Sequence, residues 1–229
     1  MPTYNEAENL PLMANQLFSL GVEGLGLIIV DDNSPDGTGQ IADSLAQQYP
    51  HQIKVVHRPG KMGVGSAYIH AFRMALDMGA DYIFEMDADF SHPPEVVPTM
   101  IAMMKDYYVA VGSRYVDGGG VDPKWGLWRK FLSWGGNVYA RWVTGVRVKD
   151  ATAGFKCFRR LVLEELDLAK VESGGYVFQV EMAYACQKRG YRVVEVPITF
   201  IERARGRSKM SWGIIWEAAW RVWQIKRRY

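Results

Sequence analysis

Residues 82–95 read Tyr-Ile-Phe-Glu-Met-Asp-Ala-Asp-Phe-Ser-His-Pro-Pro-Glu. A short apolar run, Tyr82 to Met86, ends on two carboxylates one residue apart, Asp87 and Asp89. The same arrangement occurs earlier in the chain, where residues 25–30 (LGLIIV) run into Asp31-Asp32. Short apolar runs bounded by turn residues are the mark of buried strands. In open α/β sheets ligands bind in the crevice beyond the carboxyl ends of the strands, so both acidic pairs are expected at one rim. Two carboxylates in an Asp-x-Asp turn can converge on a hard cation, which in turn bridges a substrate diphosphate. Asp also favours turns for local reasons; its recurrence at two strand ends favours a site.

The pattern extends outward from these two runs. Residues 53–57 and 108–112 read as further strands, and helices are expected near 38–49, 64–79, 94–105 and 177–189, with a strand at 192–196 closed by Pro197. Asn5 with Glu8 resembles a capping box opening a helix whose one face carries Leu10, Met13 and Leu17. Strands alternating with helices predict an α/β fold with a mostly parallel sheet flanked by helices. One feature is unusual. The Pro2–Glu6 loop leads into a helix and would ordinarily be fed by a buried strand, yet only Met1 precedes it. Either the true start lies upstream or the fold manages without that strand.

At 229 residues, 48% hydrophobic and 23% charged, the chain fits one folded domain or one domain plus a short extension. No stretch approaches the roughly 20 apolar residues of a spanning helix, and the start lacks a signal-peptide layout. Cys157 and Cys186 are far apart, without a CxxC or Cys/His cluster, which speaks against a disulfide framework or structural zinc and makes a reducing cytosol the expected setting. Residues 1–115 carry 6 Lys+Arg against 14 Asp+Glu, whereas 116–229 carry 21 against 11. An acidic half suits a cation and a basic half suits phosphate or an anionic membrane surface, although solvated faces have the same composition.

Four further segments bear on function. Asp32-Asn33-Ser34-Pro35-Asp36-Gly37 with Asp43 mimics a calcium loop, but it follows a strand rather than a helix and ends in Asp instead of the bidentate Glu, so it reads as a turn. The stretch from Arg58 to Ser66 (RPGKMGVGS) is Gly-rich and basic, yet Met62 follows Lys61 where a P-loop needs Ser or Thr. It fits either backbone approach to a nucleotide at a helix N-terminus or a tight strand-to-helix connection. All eight tryptophans fall in two sets: Trp125, Trp128, Trp134 and Trp142, then Trp212, Trp216, Trp220 and Trp223, the second at helical spacing beside Arg221, Lys226, Arg227 and Arg228. A basic Trp-bearing amphipathic helix suits a membrane interface, or else packs on the sheet. Single-stranded nucleic acid is not an expected partner, since no RNP- or KH-type signature accompanies these residues. Arg203, Arg205, Arg207 and Lys209 surround Gly206 in a cationic loop, a phosphate clamp or a solvated surface.

Taken in order, PTYNEAENL, VDDNSPDGT, RPGKMGVGSA, MDADFSHPPE, GSRY, ATAGFKCFRR and RARGRSKMS resemble the polyprenyl (dolichyl) phosphate mannose synthases of glycosyltransferase family 2. The resemblance runs from Pro2 to about Trp212. It implies a GT-A fold, a nucleotide-sugar donor such as GDP-mannose, Mg²⁺ or Mn²⁺, and inverting transfer to the phosphate of a polyprenol. By position it implies that Pro2, Tyr4, Glu6 and Asp32 line the nucleoside pocket and that Asp87 and Asp89 meet the metal and donor diphosphate. Ser91 stands where some members have a Gln ligand, so water would complete the shell. Arg114, Arg129 and Ser133 would hold the acceptor phosphate, and Arg203 with Lys209 would close over the donor phosphates. Residues 1–209 are thus expected to form the glycosyltransferase domain, with the Trp-rich segment 125–142 inside it, and 210–229 a C-terminal amphipathic helix. Many relatives continue into transmembrane helices; here membrane contact, on the cytoplasmic face, would be peripheral through the Trp segments or made through a membrane partner subunit. Two alternatives stand beside this reading: glucose transfer from UDP-glucose to the same acceptor, and a non-catalytic membrane-surface module.

Overall fold

A computed structural model describes residues 1–201 and 212–229, with side chains described for 1–201 and 219–229. In chain order the elements are β1 (Pro2–Thr3), α1 (Leu10–Ser19), β2 (Leu27–Asp31), α2 (Thr38–Gln48), β3 (Ile53–His57), α3 (Val64–Asp77) and β4 (Tyr82–Glu85). A 3₁₀ turn at Pro94–Val96 leads into α4 (Val97–Met103), followed by β5 (Val109–Ser113), β6 (Gly120–Val121) and α5 (Leu127–Thr144). The chain continues through β7 (Lys156–Arg159), α6 (Arg160–Glu165), α7 (Gly175–Lys188), β8 (Val193–Pro197), β9 (Thr199–Phe200) and α8 (Trp212–Arg228).

Strands β1, β2 and β3 pair in parallel in that order, and a second group runs β4-β7-β5-β8. Within it β5 and β8 are parallel, while β7 is antiparallel to both β4 and β5. The short strands β6 and β9 form a separate parallel pair. Side chains alternate across a strand, and the core divides accordingly. Val109, Val111 and Phe158 point into one cluster with Tyr68 and Phe72 of α3, Phe178 and Met182 of α7, and Val222 and Ile225 of α8. Ala110 and Cys157 point into the other, with Leu10, Met13 and Leu17 of α1 and Met100 of α4. Helices therefore cover both faces of the sheet. Both cysteines are buried and free, and burial pushes the Cys186 thiol up to about 12.

The expected elements are present, with two corrections. Pro2 and Thr3 themselves form the edge strand of the parallel group, in register with Val30 and Asp31. The capping box does not form: α1 begins at Leu10, its Asn9 cap makes no side-chain bond to the helix, and Asn5 sits at φ 62° with its N–H donating to Ser34 Oγ at 3.1 Å. Residues 5–7 are instead tied to the loop after β2, through Glu6 N–H to Thr38 Oγ1 (2.9 Å) and Ala7 N–H to Asp36 Oδ2 (3.1 Å). These N–H groups would lack an intrahelical partner at any helix start and are satisfied here by a neighbouring loop, which places Tyr4 and Glu6 at the rim.

The end of α8 is seated firmly. Val222 and Ile225 are buried, and Arg228 donates to the fully buried Glu181 at 2.8 Å and pairs with Glu172 at 3.2 Å. Trp223 Nε1 donates to Tyr139 Oη at 2.9 Å, and that hydroxyl donates to Ala219 O at 3.1 Å, joining α8 to α5. Among the described residues no helix is long and apolar enough to cross a membrane.

Candidate active site

The Asp-x-Asp turn emerges from the end of β4. Asp87 is half-buried, while Asp89 and Ser91 are buried, with Phe90 between them at φ 62°. Ser91 N–H donates to Asp89 Oδ1 at 3.1 Å, closing the turn. The Tyr68 hydroxyl lies 3.2 Å from Asp87 Oδ1, and Asp87 N–H donates to His92 Nδ1 at 3.1 Å. Burial holds Tyr68 protonated far above the usual tyrosine range and lowers the basicity of His92, so the phenol donates and the imidazole accepts. An Mg²⁺ or Mn²⁺ ion fits this donor set, because carboxylate and hydroxyl oxygens suit a hard cation. Among the described residues Ser91 Oγ is buried without a hydrogen-bond partner, two residues past Asp89. Among the described residues no group of three or more His, Cys, Asp or Glu side chains converges on one point. A cation held here would draw its remaining oxygens from a bound diphosphate and water.

The residues expected to line a nucleoside pocket gather at the ends of β1, β2 and β3. Asp32 N–H donates to Thr3 O at 3.1 Å, which sets Asp32 beside the residue that lies between Pro2 and Tyr4. The Asp32 carboxylate is paired with Arg58, whose Nε lies 2.5 Å away and whose other nitrogens hold Ser66 Oγ (2.7 Å) and Gly63 O (3.2 Å). Asp31 is occupied structurally, accepting from Ser34 Oγ at 2.5 Å and Thr3 Oγ1 at 3.2 Å. Glu6 accepts from Asn9 Nδ2 at 2.8 Å, and Lys61 Nζ sits 3.5 Å over the Tyr4 ring. Within the Gly-rich stretch, Gly65 has a packing reason: a Cβ there would stand 2.6 Å from Ser173 O and 3.0 Å from the Phe178 ring. The close approach at that glycine is to the chain just before α7 and to the α7 ring of Phe178, so packing accounts for its lack of a side chain.

The basic residues assigned to an acceptor phosphate meet around Phe200. Its ring lies 5.5 Å from His92, 5.6 Å from Trp125 and 5.4 Å from the Arg114 guanidinium. Arg129 stacks on Trp125 at 3.9 Å, and Ser133 Oγ is 2.9 Å from Tyr115 Oη, the neighbour of Arg114. Arg114, Arg129 and Ser133 are thus gathered in one region, joined to the acidic turn through His92. Arg114 is itself engaged, donating to both oxygens of buried Asp150 at 2.7 Å and to Thr152 Oγ1 at 2.8 Å. Burial works against its charge, but the Asp150 bonds more than offset this and raise its basicity. Arg203 and Lys209 lie outside the described residues.

Sequence reasoning missed Tyr68, His92, Asp150, Phe200 and a buried ion pair under the acidic turn. Lys156 Nζ reaches Glu85 Oε1 at 2.8 Å, Ala153 O at 2.5 Å and Gln179 Oε1, tying the base of the turn to the 150–155 loop. A signal for the pair was present: Lys156 is a charge inside the apolar run Phe155-Lys156-Cys157-Phe158. Charges are rarely fully buried unless paired.

Trp125 is buried, but α5 otherwise presents an outward stripe of Trp128, Phe131, Trp134, Val138 and Trp142 at helical spacing. Trp142 meets Trp223 edge-on at 6.3 Å, extending the stripe to α8, where Trp220 and Trp223 are exposed opposite buried Val222 and Ile225. Their accessibility argues that these rings do not pack on the sheet; the side chains of Trp212 and Trp216 lie outside the described residues. Between the helices, Tyr139, Ala219, Trp220, Trp223, Gln224 and Arg227 line a recess of about 340 Å³.

A mixed sheet sandwiched by helices, with an Asp-x-Asp turn at a strand end facing a basic cluster, has the architecture of a GT-A glycosyltransferase. The glycosyl transferase family 2 pattern matches residues 1–167. Over the whole chain, identity is 44% with an undecaprenyl-phosphate mannosyltransferase of Micrococcus luteus, covering 94% of that protein, and 45% with a polyprenol monophosphomannose synthase of Mycolicibacterium smegmatis, covering 86%. The fold is similar to that of glucosyl-3-phosphoglycerate synthase from Mycobacterium tuberculosis in complex with Mn²⁺, uridine diphosphate and glucosyl-3-phosphoglycerate, with a TM-score of 0.65 at 17% identity over 98% of this chain and 76% of that one. The chain belongs to glycosyl transferase family 2, and within it to the polyprenyl phosphate mannose synthases that it resembles along its full length.

Proposed function

We propose that the chain transfers mannose from GDP-mannose to a polyprenyl phosphate, with inversion at the anomeric carbon and with Mg²⁺ or Mn²⁺, while resting on the cytoplasmic face of a membrane. The observation that carries this reading is the convergence on Phe200. It sets Arg114, Arg129 and Ser133 beside the turn that holds Asp87 and Asp89. Donor and acceptor phosphates would be brought together there. The names of the two full-length relatives agree with it.

In this reading Pro2, Tyr4, Glu6 and Asp32 hold the nucleoside, and Arg203 with Lys209 close over the donor phosphates. Asp87, Asp89 and Ser91 hold the cation, which when bound supplies charge stabilisation to the departing diphosphate. The acceptor phosphate is already anionic. Its oxygen attacks the anomeric carbon as the bond to the nucleoside diphosphate breaks, and the bonding pair leaves with the diphosphate. No proton has to move, so no general base is needed. Arg114, Arg129 and Ser133 position the nucleophile and offset the repulsion between two anions.

The test is transfer of labelled mannose from GDP-mannose to a short polyprenyl phosphate with Mg²⁺ or Mn²⁺, run beside UDP-glucose and a chelator control. Chelator-sensitive mannolipid is expected; glucolipid alone would change the sugar, and no product from either donor would move the reading to a non-catalytic surface module.

Membrane contact is assigned to the aromatic stripe of α5 and α8, with no partner subunit required. Indole rings settle at headgroup depth, and Arg221, Lys226 and Arg227 on α8 would meet anionic lipid. Replacing Trp128 and Phe131 together by Ala should weaken sedimentation with anionic vesicles by about tenfold or more, each ring losing on the order of 1–2 kcal/mol of apolar burial. GDP binding should be unchanged. Vesicle affinity equal to wild type would take this face off the membrane.

A further inference from the structure

Asp87 is gripped by two residues that no part of the mechanism above uses. Its peptide N–H donates to His92 Nδ1, and His92 is itself buried, stacked on Phe155 at 5.4 Å with 18° between the rings and meeting Phe200 edge-on. Its carboxylate oxygen Oδ1 faces the Tyr68 hydroxyl at 3.2 Å. Tyr68 lies in α3 and is 1% exposed, its ring stacked on Phe178 at 5.8 Å and 6° and on Phe72 at 5.9 Å and 28°. Phe178 in turn sits against Gly65, where any side chain would collide with Ser173 O just before α7 and press on the Phe178 ring. The hydroxyl is therefore fixed in space by a packed stack, and it meets the side chain of Asp87 while His92 meets its backbone.

We infer that Tyr68 is a positioning residue for the cation: its hydroxyl pins Asp87 through Oδ1 and so presents Oδ2 to the metal in a set orientation, while His92 pins the backbone of the same residue. This inference rests on the metal role proposed for Asp87. A carboxylate at a strand end turns about two side-chain bonds, and a metal that binds it must freeze that motion. A donor already bonded to one oxygen removes the freedom beforehand and leaves the other oxygen's lone pairs available. Because Tyr68 is neutral, it does so without cancelling the charge that attracts the cation. An Arg or Lys in the same place would compete with the metal. The buried pair Lys156–Glu85 completes the support, since it anchors the strand end two residues before Asp87.

Tyr68→Phe keeps the ring stack and removes the oxygen. Mn²⁺ binding to the full-length protein with GDP, followed by electron paramagnetic resonance, should weaken about tenfold, the scale of one hydrogen bond to a charged group. The GDP affinity measured without metal should stay the same. Phe72→Leu serves as the second variant: it loosens the same packing but leaves the hydroxyl, and Mn²⁺ affinity should be retained. The inference is overturned if folded Tyr68→Phe binds Mn²⁺ as wild type does, or if Phe72→Leu loses as much affinity as is expected of Tyr68→Phe. Wild-type protein that binds no Mn²⁺ with GDP would overturn the metal reading itself and the inference with it.

Discussion

Asp89→Ala is expected to abolish sugar transfer, lowering turnover on the order of 10³-fold, while the protein remains folded. The magnitude follows from the loss of charge stabilisation at a departing diphosphate, where a single well-placed group is worth roughly 10²–10³ in rate. Folding should survive because the bond that Asp89 accepts from Ser91 N–H is local to the turn. A local bond of this kind is worth only about 1 kcal/mol. GDP binding should weaken in the presence of Mn²⁺ and be unaltered in its absence, which separates loss of the cation from loss of the nucleoside pocket. Turnover like that of wild type in a folded variant would remove Asp89 from the metal role.

Lys156→Ala should produce the largest loss of stability. Lys156 is 1% exposed and Glu85 is not exposed at all; burial already holds the Glu85 carboxyl above its usual range, with Lys156 opposing that rise, and among the described residues Glu85 Oε2 has no hydrogen-bond partner. Removing the ammonium leaves a carboxylate in the core, a change that typically costs about 3–5 kcal/mol. In a chain of this size that is a fall of roughly 10 °C or more in Tm. The pH dependence has a definite sign. Without Lys156 the folded-state pKa of Glu85 rises further above its unfolded value, so the protonated form is the one that folding tolerates. The deficit relative to wild type should be full above that raised pKa, shrink as pH falls through it, and vanish toward the unfolded-state value. Thermal denaturation across this range checks it, and a deficit independent of pH would show that lost packing, not an orphaned charge, is responsible. Replacing Lys156 and Glu85 together by Met should recover much of the loss.

The parts of the fold legible in the sequence were those governed by local periodicity. β3 at Ile53–His57 and the buried face Leu10, Met13 and Leu17 were readable because strand and helix spacing alone determine them. The antiparallel strand β7 was not, since Ala151-Thr152-Ala153-Gly154-Phe155 carries no alternation and Lys156 hides a buried position behind a charge. The N-terminal capping box failed for a related reason. Asn5 and Glu8 have the right spacing, but Ser34, Asp36 and Thr38, distant in sequence, offer the backbone better partners. At the site, the acidic turn could be found from its strand-end position, whereas the roles of Tyr68 and His92 depend on α3 packing beneath it and on the loop beyond Asp89 folding back onto it. The gathering of Arg114, Arg129 and Ser133 around Phe200 depends on β9 pairing with β6, a contact between two-residue strands that leaves no periodic trace.

Helix α5 carries Arg129 and Ser133 toward the site and Trp128, Phe131 and Trp134 away from it. A helix with its side chains is only about 10 Å across. On the proposed function, the reacting phosphate therefore stays within one helix thickness of the lipid, and its long chain never has to leave the bilayer. The acceptor is then met in two dimensions: the quantity that governs its encounter rate is its mole fraction in the surface, not its amount per litre. Spent nucleotide diffuses away in three dimensions while the glycolipid remains in the plane, so the two products separate by geometry alone.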